Sequence, residues 1–385
     1  MGIDSLNKFL RDKYPDVYKE VHLSAFAFKK VPFDISSFIY KFISSYGKEQ
    51  NKWLNAFIKM ILLCRQNAVN LIPIFDGKAP PEKDEERFDR GEQKDKGDVK
   101  CFQLRLDLSR YKNNKTTTPE LIQLMRTLLI KKHNEDIQYK MKRLLRPPKE
   151  TKEEEFKIGD DIEIDVDMIN TYLEGREKNI FNITSEDLTL LKTLLNKFKI
   201  PYFEAPDEAE ALANYLVKTG LADATFSLDS DCIAYQVPVL INELDVYTGI
   251  CRVVYFDDLC EQLELTPDEV RLLCISLGCD YSRHTKTIKG VGPVTAHKMI
   301  KKWKTYEGLK KNEKKFQVED DGLRHDKCVE LFSLKYPAIT SVPIWDLRID
   351  IEEITDWLTA NHLYCDKAKL KQYWKPPPIV FADDE

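Results

Sequence analysis

Between Glu204 and Asp231 the chain reads EAPDEAEALANYLVKTGLADATFSLDSD, placing Glu208, Glu210, Asp229 and Asp231 in two i,i+2 pairs. Carboxylates gathered at a helix start and at a strand end suit a hard divalent cation such as Mg²⁺, which takes oxygen ligands and keeps several waters. Each pair alone reads equally well as a solvated cap or turn, so the chemical reading needs acids of the same kind elsewhere. They are present. The apolar runs Lys30–Phe33 and Asn70–Phe75 stop at Asp34 and Asp76, and Asp280 follows the Gly278 that should end a helix.

These acids need elements to carry them. Pro206 suits the first turn of a helix, which would put Asp207, Glu208 and Glu210 near its positive end. Ala222–Leu228 reads as a short buried strand ending at Asp229. Lys30–Phe33 reads as another, with Pro32 pointing to an irregular or edge position. Gly2–Tyr14, Ile35–Tyr46, Trp53–Gln66 and Leu188–Phe198 have helical apolar spacing. Strand, helix and strand up to Phe75 make a parallel crossover unit. Val239–Asp245 and Arg252–Tyr255 read as a hairpin, and Thr266-Pro267-Asp268-Glu269 as a capped helix start. In an open parallel sheet ligands gather beyond the carboxyl ends of the strands, so Asp34, Asp76 and Asp229 should converge, with Glu208, Glu210, Asp231 and Asp280 joining them. Unneutralised, each pair about 4 Å apart would repel by about 4 kcal/mol at an effective dielectric of about 20. Two divalent ions would both neutralise such a set and serve phosphoryl chemistry.

Composition bounds the rest. The 385 residues are 43% hydrophobic, enough for a sizeable core. No apolar run is long enough to span a membrane, and MGIDSLNKFL lacks the layout of a secretory signal. Nine cysteines, none in a C-x-x-C arrangement, argue for reduced thiols in an intracellular setting and against disulfides or zinc. Net charge is −5, yet Arg283–Lys315 holds eleven Lys and Arg against Glu307 and Glu313; such a block is usually a solvated surface, but it is also the footprint a phosphate backbone needs.

Five segments in order, FDISSFIYKF, IFDGKAPP, EAPDEAEA, SLDSD and LGCDYSRHTKTIKGVGPVTAHKMI, resemble the successive motifs of the flap-endonuclease (XPG-type) structure-specific 5′ nucleases. The resemblance implies an α/β, PIN-like, mostly parallel core with a helical arch insertion and a helix-hairpin-helix DNA-binding region. It implies Mg²⁺-dependent hydrolysis, with Mn²⁺ as a substitute, of DNA phosphodiesters near a 5′ single-strand/duplex junction, in replication or repair. Carried over residue by residue, Asp34, Asp76, Glu208 and Glu210 would serve a first metal, and Asp229, Asp231 and Asp280 a second. Lys83 and Arg90 match the two basic residues aimed at the scissile phosphate, and their i,i+7 spacing puts them on one helix face. Tyr40 stands where the family stacks an aromatic on an unpaired base, although a core role is as good a reading. Gly2 would lie beside the metals. The turn with Lys289, Gly290 and Gly292, followed by Lys298, Lys301 and Lys302, would grip duplex phosphate with the help of a K⁺ ion.

The resemblance divides the chain into nuclease regions at 1–98 and 181–282, an arch insertion at 99–180, and a DNA-binding region with a C-terminal extension at 283–385. Two departures stand out. The Asp34–Asp76 interval is short for a flap endonuclease, and the insertion is long, with a basic tract from Arg126 to Lys149. KQYWKPPPIVFADDE shows no clear sliding-clamp-binding peptide. The expectation is a monomer acting on DNA in the nucleus, or at a replication site if the protein is viral. The alternatives are a 5′→3′ exonuclease, a Holliday-junction resolvase, an exoribonuclease, or a non-catalytic DNA-binding scaffold.

Overall fold

In the computed structural model residues 3, 5–143, 162–177, 180–282, 288, 290–313, 316, 318, 323–346 and 348–374 are described. The chain forms two compact units, Met1–Phe88 with Ile183–Glu385, and Asp89–Asn182. Among the described residues seven strands form one sheet in the first unit: β1 (Tyr18–His22), β2 (Lys30–Asp34), β3 (Asn70–Phe75), β4 (Phe203–Glu204), β5 (Thr225–Phe226), β6 (Val239–Leu244) and β7 (Ile250–Tyr255). Their order is β1-β7-β6-β5-β2-β3-β4. The pairs from β4 to β6 are parallel, and β7 runs antiparallel to both β6 and β1. This is the mixed, mostly parallel α/β sheet expected.

The strand order places the acids. β2 lies between β3 and β5, with Asp34 opposite Ile74 and Phe33 opposite Phe226. Asp34, Asp76 and Asp229 therefore leave three adjacent strands at the same edge of the sheet. Behind β2 the helix Ile35–Tyr46 is held by aromatic contacts, Phe38 lying 4.6 Å from Phe226 and 5.2 Å from Phe33 between ring centroids. On the other face Leu6, Phe9 and Leu10 of the helix Leu6–Lys13 share a core with Ile72, Ile74 and the helices Ala209–Lys218, Pro267–Leu277 and Pro293–Trp303. Burying one such side chain contributes about 1.5–3 kcal/mol.

Several expectations need correction. Pro32 is in a central strand, not an edge. Strand alternation turns its missing N–H toward β5, where pairing begins only at Thr225–Phe226 and the Asp223 carboxylate accepts from Lys30 N at 2.8 Å instead. The buried strand expected over Ala222–Leu228 narrows to β5. Pro206 lies outside the helix, which begins at Ala209 with Glu208 as N-cap. Neither β1 nor β4 was foreseen: β1 is an edge strand lacking a clean apolar alternation, and β4 has two residues.

The second unit has its own core, in which Cys101, Leu104 and Leu108 of the helix Asp84–Asn114 meet Leu121 and Met125 of Pro119–Arg143 and Ile169 and Leu173 of Val166–Glu177. Its basic tract lies partly outside the described residues. No helix among the described residues is long and apolar enough to cross a membrane, and all nine cysteines are free.

Thr266 and Glu269 close a reciprocal capping box on the helix Pro267–Leu277, which leads to Asp280. Thr266→Ala should lower stability by about 1 kcal/mol, read as a lower urea midpoint with an unchanged slope.

Candidate active site

Asp34 ends β2 and caps the following helix: Oδ1 accepts from Ser36 N at 2.8 Å and Oδ2 from Ser37 Oγ at 2.5 Å. Asp76 leaves β3 and accepts from Ala209 N at 2.9 Å, capping a helix from a distant part of the chain. Gly77 makes this possible. A Cβ there would stand 2.1 Å from Ala205 O, and Gly77 N donates to Asp207 O at 2.6 Å. The exit from β3 is thus joined to the backbone just before Glu208.

Glu208 does not cap its own helix. Its Oε1 pairs with Lys83 Nζ, and its Oε2 accepts from the Tyr281 hydroxyl. Lys83 also lies 3.3 Å from Asp280 Oδ2, so its ammonium bridges two carboxylates. Glu210 accepts from Ser227 Oγ at 3.0 Å and from Cys232 Sγ at 2.9 Å. Asp229 Oδ1 accepts from Asp231 N at 3.2 Å. Asp231 is buried, and its Oδ1 has no hydrogen-bond partner among the described residues.

These groups act on one another electrostatically. Burial, then the charge of Asp76, pushes the Asp34 carboxyl up to about 7. Burial and the neighbouring Asp229 hold Glu210 well above the usual carboxylate range. Asp231 is raised in the same way by burial and then by Asp229, Asp280 and Glu210, and Asp229 is raised chiefly by burial. Burial works against the charge on Lys83, but Glu208 and Asp280 outweigh it and raise its pKa. The sequence-selected acids thus form a chain of electrostatic neighbours, Asp76 with Asp34, Asp34 with Glu210, Glu210 with Asp229 and Asp231, and Asp231 with Asp280, while Lys83 bridges Asp280 and Glu208.

Whether this pocket fits a divalent ion can be judged from its atoms. Among the described residues, no group of three or more His, Cys, Asp or Glu side chains is placed so that it could hold a metal ion without rearranging. The donors nonetheless suit a hard cation: all are carboxylates, one oxygen is orphaned, and a cation from the chain itself lies between two of them. The residues fit the group.

Lys83 closes a single turn, Pro81–Lys83, so the long helix starts one residue after it rather than carrying it. That turn is held by Arg324, which reaches Glu82 O at 3.4 Å and Glu85 Oε1 at 3.1 Å. Arg90 belongs to the second unit. Tyr40 is half exposed on the helix Ile35–Tyr46, which sets aside its core reading.

In the hairpin region Gly290 has φ +77°, a conformation that favours glycine. Gly292, N-cap of the helix Pro293–Trp303, has φ −94°, which any residue adopts. Lys298 is exposed. Lys301 pairs with Glu264 at 2.6 Å, and Lys302 Nζ lies 4.3 Å from the Trp303 ring centroid. Gly2 and Lys289 lie outside the described residues.

Sequence reasoning missed Gly77, Ser227, Cys232, Tyr235 and Tyr281. Gly77, Ser227 and Tyr281 were findable, since they lie beside selected acids in the motifs IFDGKAPP, SLDSD and LGCDYSRH; Cys232 and Tyr235 carry no local signal.

Known proteins match this chain in both sequence and fold. Residues 1–97 match the XPG N-terminal domain and residues 199–280 the XPG I-region. The chain is 28% identical over 335 residues to a probable RAD2-like endonuclease of Invertebrate iridescent virus 6, covering 81% of this chain and 74% of that protein. It is 28% identical over 354 residues to flap endonuclease 1 of Debaryomyces hansenii, covering 86% and 76%. Its fold matches the catalytic core of Rad2, solved in complex with DNA substrate, with a TM-score of 0.61 at 17% identity over 97% of this chain and 98% of that one. The chain thus carries both XPG regions in order, and relatives named as RAD2-like and flap endonucleases match it over more than 80% of its length.

Proposed function

We propose that this protein is a Mg²⁺-dependent, structure-specific 5′ nuclease that hydrolyses DNA phosphodiesters near single-strand/duplex junctions, in replication or repair. One observation supports the reading most: carboxylates from separate segments act on one another at one sheet edge, Lys83 bridges two of them, and a buried Asp231 oxygen has no hydrogen-bond partner among the described residues. The names of its relatives, RAD2-like endonuclease and flap endonuclease 1, point to the same chemistry.

Asp34, Asp76, Glu208 and Glu210 would hold one divalent ion, and Asp229, Asp231 and Asp280 a second. When bound, such ions supply Lewis-acid activation of a water and of the leaving oxygen. Lys83 offsets part of the acid charge by bridging Glu208 and Asp280. Released from those carboxylates, its ammonium is placed to stabilise charge developing on a phosphate at the pocket, a role Arg90 would share. Tyr40, Gly2 and the segment with Lys289, Gly290, Gly292, Lys298, Lys301 and Lys302 would position DNA by its backbone and its shape, with K⁺ at the turn. Lys301 would first have to leave Glu264. The site of action would be the nucleus or a viral replication site.

Asp229→Ala should abolish cleavage of a 5′-flap duplex in Mg²⁺ while leaving flap binding measurable; retained cleavage would remove the metal assignment. Lys83→Ala should slow cleavage by about a hundredfold or more. Product maps on a 5′ flap, a blunt duplex and a four-way junction separate a flap nuclease from an exonuclease and a resolvase, and no product from any of them would favour a scaffold.

The raised Asp34 pKa gives a further test. Its folded value of about 7 exceeds the ordinary 3.8, so the folded state keeps a proton that the unfolded chain releases. That stabilising contribution is full below the ordinary value and is lost as pH rises through about 7. The metal-free protein should melt lower at about pH 8 than at about pH 5, and Mg²⁺ should raise the melting temperature more at the higher pH. A flat metal-free profile would contradict this.

A further inference from the structure

Glu208 occupies a position where a carboxylate would ordinarily accept from the first N–H groups of its own helix. It makes no such bond. Its Oε2 accepts from Tyr281 Oη, and its Oε1 is left to Lys83. Tyr281 does not act alone. Its hydroxyl lies 2.7 Å from the Tyr235 hydroxyl, both groups being buried. An ionised carboxylate can only accept, so the Tyr281 hydrogen goes to Glu208 and the Tyr235 hydrogen goes to Tyr281 Oη.

Both rings are locked. Tyr235 meets Phe332 edge-on at 4.9 Å and 90°, and Tyr281 lies 5.1 Å from the same ring. Phe332 follows the helix His325–Leu331 and is itself fully buried. A side chain with three rotatable bonds is thus fixed by a directional donor, and that donor is fixed by a second donor and by packing. Leaving hydroxyls buried here without this use would cost free energy for no gain.

We propose that Tyr281 and Tyr235 are positioning residues, a two-phenol chain that fixes the Glu208 carboxylate so that Oε1 is presented to whatever cation occupies the pocket. The inference rests on the metal-binding reading of the acid cluster. Neither tyrosine touches a reacting atom. Each acts through Glu208, and Lys83 Nζ marks the face of Glu208 that a divalent ion would take over.

The test uses the full chain and its Tyr281→Phe and Tyr235→Phe variants, which keep the packed rings and remove one hydroxyl each. Mn²⁺ binding without DNA, followed by calorimetry, should weaken by about tenfold in Tyr281→Phe, the usual cost of losing an outer-shell hydrogen bond. Tyr235→Phe should weaken it less, in the same direction. The Mg²⁺ concentration for half-maximal cleavage should rise in parallel, while cleavage at saturating Mg²⁺ and flap binding in Ca²⁺ stay near wild type. In a Glu208→Gln background, Tyr281→Phe should have no further effect on Mn²⁺ affinity. Unchanged Mn²⁺ affinity in both single variants overturns the proposal and leaves the metal reading intact. So does a lower melting temperature with unaltered metal dependence, which would make the tyrosines merely structural. Absence of Mn²⁺ binding by the wild-type protein would instead overturn the metal reading itself. Should Tyr281→Phe fail to fold, Tyr235→Phe, which leaves the bond to Glu208 in place, decides the matter.

Discussion

Carboxylates that share the ends of adjacent strands repel one another, and much of the first unit can be understood as the means of holding them there. β2 lies between β3 and β5, so Asp34, Asp76 and Asp229 leave the sheet as neighbours. Glu208, Glu210, Asp231 and Asp280 are brought to the same edge by the segments that follow. Desolvation and mutual charge raise the proton affinity of Asp34, Glu210, Asp229 and Asp231 together. The Lys83 ammonium offsets part of that repulsion.

Holding such a cluster requires each acid to be tied down by something other than its neighbours. Asp34 and Asp76 are anchored by helix N–H groups, Glu210 by Ser227 and Cys232, and Glu208 by Tyr281. The anchors come from different parts of the chain, which links the pocket to the packing of both faces of the sheet. The Phe38 contacts with Phe33 and Phe226 hold the helix that Asp34 begins. Phe332 holds the tyrosines behind Glu208. Geometry at the sheet edge is therefore set by the core, not by the loops alone.

Much of this was legible in the sequence because the acids sit where local signals are strong. Apolar runs ending at Asp34 and Asp76, and the Thr266 cap before Asp280, can be read from residue type and spacing. β1, by contrast, is half exposed and pairs only with β7, so its apolar pattern is weak. Pro32 misled because its cost depends on how far β5 extends, which is a tertiary fact. Pro206 misled for a similar reason: Gly77 binds the backbone before Glu208 and delays the helix until Ala209. The Tyr235 hydroxyl and the Cys232 thiol could not be read, since they acquire meaning only through partners distant in sequence.

The unpartnered oxygen of Asp231 shows what this arrangement asks of the fold. Asp34 helps build the scaffold as well as the pocket, through the helix it caps. The buried Oδ1 of Asp231 finds no partner among the described residues. Natural selection acting on thermal robustness alone would have discarded it for a small neutral residue, and a drifting, inactive copy of this gene should lose it early while becoming sturdier.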